Sequence, residues 1–98
     1  MPYFVEIRVK PECDTVPESI RTQHIAFLDE NIQLVLAGGG LFDDSETKIH
    51  GGFYILDIDD RTEAEALVAR DPYITNDVFE VVQVSRWRKA YFDNRRLI

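Results

Sequence analysis

Two helical stripes, each set between extended runs, constrain what this chain can fold into. From Tyr3 to Lys10 the side chains alternate: Tyr3, Val5, Ile7 and Val9 point one way, and Phe4, Glu6, Arg8 and Lys10 the other. Period-two alternation of this kind marks a strand with one buried face. Pro11 ends it. Thr15-Val16-Pro17-Glu18 then reads as a capping box, with Thr15 as cap and Glu18 answering three places on. The helix it opens runs to about Asn31 on a stripe of Ile20, His24, Phe27, Leu28 and Asn31. Ile32 to Leu36 is apolar and β-branched enough for a second strand, and Gly38-Gly39-Gly40 after it suggests a bulge or bend. Residues 43–50 form a polar connection. Gly51-Gly52 opens a third strand, Phe53 to Ile58. Asp60 and Glu63 repeat the capping logic for a second helix, Arg61 to Arg70, whose stripe is Ala64, Leu67, Val68 and then Asp71. Pro72 stops it, because a residue preceding proline disfavours helical angles. Val78 to Trp87 is a fourth strand.

The order strand, helix, strand, strand, helix, strand is that of a ferredoxin-like α+β fold. It places both helices on one face of a four-stranded antiparallel sheet. The 98 residues suit a single domain spanning residues 1–98. Two helices cover one side of the sheet only. A second copy packing sheet to sheet would cover the other, and this is the physical case for a homodimer through the open face.

Composition removes several classes of function. The hydrophobic fraction is 45% and the charged fraction 30%, values of a globular protein rather than a disordered one. No apolar run approaches a membrane span. The start Met1-Pro2-Tyr3-Phe4-Val5-Glu6 lacks the basic and apolar stretches of a signal peptide. Cys13 stands alone, so a reducing cytoplasm is the simplest location. Net charge is −7, unevenly spread. Residues 1–85 carry six basic and seventeen acidic side chains, a net −11; residues 86–98 carry five basic and one acidic, a net +4. An acidic body repels nucleic acid and anionic lipid, so neither is an expected partner. The basic C-terminal tail, residues 88–98, is too short and mixed to form a nucleic-acid patch. It is expected to meet the acidic body of its own chain or of a partner subunit, or to remain a solvated end.

Two polar residues occupy positions meant for apolar ones. His24 lies on the first stripe, and Asp71 is the next stripe position at the end of the second helix. Both stripes face the same side of the sheet. A buried carboxylate is costly unless paired, and a histidine one helix away is a natural partner. Such a pair fixes one ring tautomer and can move a proton on a small substrate. It can equally be a tether in a non-catalytic ligand-binding or assembly domain, and periodicity does not choose between the two. Arg21, one turn before His24, is a candidate for a substrate anion. Tyr73 is a candidate to line the cleft, Trp87 to close the core, and Gly38 and Gly39 to cradle an anion through backbone N–H groups. His24, His50 and Cys13 show no metal-ligand spacing, and no cofactor is indicated.

Arg21-Thr22-Gln23-His24 followed by Phe27-Leu28 resembles the R-x-x-H-x-x-(F/Y)-L pattern of YciI-like (YCII-related) proteins. Ala37-Gly38-Gly39 is similar to that family's A-G-P step, with Gly39 in place of proline. Asp71-Pro72-Tyr73 matches its D-P-(Y/F) motif, and Val84-Ser85-Arg86-Trp87 resembles its closing strand. The match spans nearly the whole chain in order. Asn76-Asp77-Val78 departs from it, lacking the glycine that often precedes the last strand. The resemblance implies a dimeric α/β barrel with a His–Asp site in a cleft, mapping onto His24 and Asp71. One branch of the family eliminates chloride from a chlorinated hydroxyquinol-type aromatic. This chain is therefore expected to be a small-molecule enzyme of lyase or isomerase type, with His24 as acid/base and Asp71 orienting it. Related barrels include cofactor-free and haem-dependent monooxygenases, which supply a third reading.

Overall fold

The computed structural model describes all residues, Met1–Ile98. Strand β1 (Tyr3–Val9) leads to helix α1 (Glu18–Glu30), then a 3-10 turn (Ile32–Leu34), strands β2 (Val35–Phe42) and β3 (Ile49–Leu56), and helix α2 (Arg61–Ala69). A four-residue helix α3 (Pro72–Thr75), strand β4 (Phe79–Arg86) and two short strands, β5 (Tyr91–Phe92) and β6 (Arg95–Arg96), complete it. The main sheet has the order β2-β3-β1-β4 with every neighbour antiparallel. That is the ferredoxin-like α+β arrangement expected from the period changes in the sequence.

The pleat sorts the side chains as the alternation requires. Tyr3, Val5 and Ile7 of β1 are buried against the helices with Tyr54 and Leu56 of β3 and Phe79 of β4. Ala64, Leu67 and Val68 of α2 complete this core, together with Ile58, Tyr73 and Val78. In α1 the stripe residues Ile20, His24, Phe27 and Leu28 are the partly buried ones, as is the C-cap Asn31, and no residue of that helix is fully buried. α1 is therefore the loosely packed wall of the core.

Local chemistry explains several element boundaries, and some depart from the sequence expectation. Asp60 caps α2, its side chain accepting from the Glu63 N–H at 3.2 Å. Thr15 does not cap α1. The N-cap is Pro17, with φ near −58° and no side-chain cap, because a proline at that position pre-sets the entry without needing a donor. The second strand begins at Val35 and runs through the glycines to Phe42; Ile32–Leu34 is the 3-10 turn instead. Irregularities in the β2–β3 register fall on either side of the glycine run, between Val35 and Ala37 and between Leu41 and Phe42. The third strand, by contrast, starts earlier than expected, at Ile49.

Pro72 does end α2, but it also starts another helix. It occupies the first turn of α3, where its missing N–H costs nothing, and Asp71 is the N-cap. Asp71 therefore sits at a helix junction rather than at the end of a stripe. The basic tail is ordered in part: β5 and β6 pair through Asp93 and Asn94, whose φ values of 54° and 61° suit a tight two-residue turn. Arg86 reaches the body, 2.9 Å from Asp59. Trp87 is half-buried and belongs neither to the core cluster nor to the cavity wall, because the chain leaves the sheet there.

The sheet face away from the helices carries Phe4 and Phe53, stacked 5.7 Å apart, beside polar pairs. Arg8 meets Glu80 at 2.8 Å, and Gln83 donates to Glu6 at 3.0 Å.

Candidate active site

Asp71 is the one charged residue in the buried set, with 0% exposure. Burial of a carboxylate without partners would cost several kcal/mol, so its hydrogen bonds carry the argument. Three donors meet it. The Tyr73 backbone N–H donates to Oδ1 at 2.9 Å, as the N-cap geometry of α3 demands. The Tyr54 hydroxyl donates to Oδ2. His24 Nδ1 lies 2.9 Å from Oδ1 and 3.0 Å from Oδ2.

Each donor is brought there by its own element. α1 supplies His24 from its inward stripe. β3 supplies Tyr54, which pairs with Val5 and so points to the helix side. The turn between α2 and α3 supplies Asp71. Burial, and then the neighbouring Asp71 charge, push the Tyr54 phenol far above its ordinary pKa, so it remains a protonated donor. The His24 ring stacks on Tyr73 at 3.9 Å and 11°, and Tyr73 stacks in turn on Phe79 at 4.3 Å. Burial also raises the Tyr73 phenol, opposed by the positive charge of Arg21.

This arrangement decides which ring nitrogen does what. Since a carboxylate only accepts, the Nδ1 facing it carries the proton, and in the neutral ring Nε2 keeps its lone pair. Nε2 has no hydrogen-bond partner, yet no buried side-chain nitrogen or oxygen lacks one, so Nε2 is open to its surroundings. Those surroundings are a cavity of about 240 Å³ between α1 and the β2–β3 ribbon.

The cavity exists because the sheet beneath it lacks side chains. Gly38 and Gly40 pair with Tyr54 and Gly52, so neither puts a side chain of its own on the face under α1. A Cβ on Gly38 would come 3.1 Å from the Phe53 carbonyl oxygen. The backbone of these glycines runs in the β2–β3 ladder, with β2 at the sheet edge. Arg21, Tyr73, Gly38 and Gly39 all border the cavity with His24. His50 does not and is exposed; the Cys13 thiol donates to the Asp77 carbonyl at 3.7 Å.

Tyr54 is the member that sequence reasoning missed. The signal was present: a phenol at a helix-facing position within Phe53-Tyr54-Ile55-Leu56 needs a buried acceptor for its hydroxyl. No group of three or more His, Cys, Asp or Glu side chains is placed to hold a metal ion. No helix is long and apolar enough to cross a membrane.

The model of the YCII-related domain matches residues 1–88. The chain belongs to the YCII-related family. Among solved structures, this YCII-related protein resembles 5-chloro-2-hydroxyhydroquinone dehydrochlorinase from Burkholderia phenoliruptrix AC1100, solved with 2,5-dihydroxybenzoquinone. The TM-score is 0.68 at 19% identity, covering 90% of this chain and 94% of the other. At that identity the likeness concerns the fold alone. A search of curated proteins finds no match. The ten residues of the β5–β6 segment, 89–98, lie beyond the matched domain.

Proposed function

We propose that this YCII-related protein is a small-molecule enzyme of lyase or isomerase type in which His24 moves a proton. One observation carries the reading. The fully buried Asp71 holds Nδ1 through both carboxylate oxygens, which leaves Nε2 free toward an apolar-walled cavity. A general base needs this combination of a fixed tautomer, a stabilised imidazolium and an open lone pair.

The chemistry follows. A planar substrate lies between α1 and the glycine floor with an acidic C–H or O–H against Nε2. Nε2 takes that proton, and Asp71 stabilises the imidazolium without being protonated. In an isomerisation the ring returns the proton to a neighbouring atom of the substrate. In an elimination the C–H electron pair becomes the new double bond, and the leaving group departs with its own pair. The cavity volume suits a substrate of about one ring. The structural neighbour, a dehydrochlorinase solved with a dihydroxybenzoquinone, makes hydroxylated aromatics the first compounds to screen, with lactones beside them. Turnover by wild type and not by His24→Ala supports the reading; turnover by both removes it.

The working unit in this proposal is a homodimer joined through the open sheet face. Phe4 and Phe53 there need cover, and the interspersed Glu6–Gln83 and Arg8–Glu80 pairs suit a wet interface rather than a core. Sedimentation at micromolar concentration is expected to give twice the chain mass of 11.4 kDa. A monomer mass throughout would refute the dimer.

A further inference from the structure

Beside the cavity at His24 lies a second chamber of similar size, about 230 Å³. Arg21, Phe42, Ile49 and Tyr73 border both, so the two adjoin across these side chains. The second chamber is also lined by Asp14, Thr47 and Lys48. Its character differs from that of the His24 cavity, which is floored by glycine and walled by apolar and aromatic side chains.

The placement of cations stands out against the charge of the body. Residues 1–85 carry a net −11, a field that repels anions. Among the few basic groups there, Arg8 is tied to Glu80 at 2.8 Å and Lys10 to Asp77 at 3.2 Å. Arg61 donates to the Val84 carbonyl at 2.9 Å. Arg21, Lys48 and Arg70 make no salt bridge, and two of these three meet at the second chamber. The adjacent acid Asp43 is engaged by backbone, accepting from the Thr47 and Lys48 N–H groups at 3.1 Å each. Asp14 is the acid in the lining.

We propose that the second chamber binds an anionic substituent of the substrate, a carboxylate or a group of like charge and shape, through Arg21 and Lys48. The planar part of the same molecule then occupies the His24 chamber. This rests on the reading of His24 as base and narrows it from hydroxylated aromatics in general to ring acids. The guanidinium presents a flat fork to a carboxylate, and the ammonium adds a point charge. Anchoring that end fixes which ring atom faces Nε2, which is how a cavity otherwise lined by apolar groups selects one position for proton transfer.

Equilibrium binding tests the proposal without requiring turnover. The probes are 4-hydroxybenzoate and phenol, titrated into wild type and into Arg21→Gln/Lys48→Gln by calorimetry. Wild type is expected to favour the acid by about tenfold, the ~1.4 kcal/mol that two partly screened ion contacts supply. The double variant should lose that factor and leave phenol unchanged, and added salt should erode the preference. Equal affinity of wild type for both probes, no binding of the acid at millimolar concentration, or acid binding that survives the double substitution would each overturn it. The base assignment fails separately: turnover retained by His24→Ala defeats that reading and leaves the carboxylate preference standing.

Discussion

Replacing His24 by alanine is expected to lower turnover by about 10²–10⁴-fold, the usual contribution of a positioned general base. The fold survives the change. α1 has no fully buried residue, and the His24 side chain is 14% exposed at the cavity wall. Its removal enlarges an existing space rather than opening a void in the core. Alanine does leave Asp71 with two donors instead of three, which costs about 1–2 kcal/mol. His24→Asn separates the two effects. Its amide N–H reaches the place where Nδ1–H donates to Asp71, but it supplies no base at the position of Nε2. Asparagine is thus expected to match alanine in lost turnover while recovering much of the stability. Wild-type turnover of any ring substrate by either variant, measured against a panel that wild type converts, would remove His24 from the mechanism.

The largest effect on stability is expected from Asp71→Asn. The carboxylate accepts from His24, Tyr54 and the Tyr73 backbone at once, with no exposure to water. An asparagine amide offers one oxygen to three donors and turns its own N–H groups toward at least one of them. The Tyr54 hydroxyl can rotate to accept from the amide N–H, but the His24 Nδ1–H and the Tyr73 N–H are then left to one uncharged oxygen. The cost is about 3 kcal/mol, in the range for breaking a buried charged pair. For a chain this small that lowers Tm by on the order of 10–20 °C. Urea or thermal unfolding reads it directly. A loss no larger than that of an exposed substitution would mean that the carboxylate is not the hub of the junction between α1, β3 and α3.

Much of the architecture was legible because burial obeys period. The stripe Ile20, His24, Phe27, Leu28, Asn31 and the stripe Ala64, Leu67, Val68 are the inward faces of α1 and α2. The alternation in β1 gives its buried set. The contact of His24 with Asp71 was reached by asking which buried polar groups need each other, a question that composition and spacing can pose. What escaped was set by tertiary context. Glycines are poor strand formers by propensity, yet Gly38, Gly39 and Gly40 lie within β2, because pairing with β3 decides their conformation. Pro17 displaced Thr15 as the α1 cap, and Pro72 opened α3 as well as closing α2; proline marks a boundary without saying on which side a helix lies. Tyr54 was passed over as a site residue because a strand tyrosine is ordinarily core, and the register with Val5 is what turns it toward Asp71. The cavity itself is a three-dimensional sum, a loose helix over a floor without side chains.

The central claim is that Asp71 fixes the His24 ring with Nδ1 protonated and Nε2 free. Ring ¹⁵N shifts of selectively labelled protein, recorded at a pH where the imidazole is neutral, read this tautomer directly. The account predicts a protonated Nδ1 and an unprotonated Nε2 for His24. His24 carrying its proton on Nε2 would contradict it, since the nitrogen facing the cavity would then be a donor and the ring could not begin the reaction as a base.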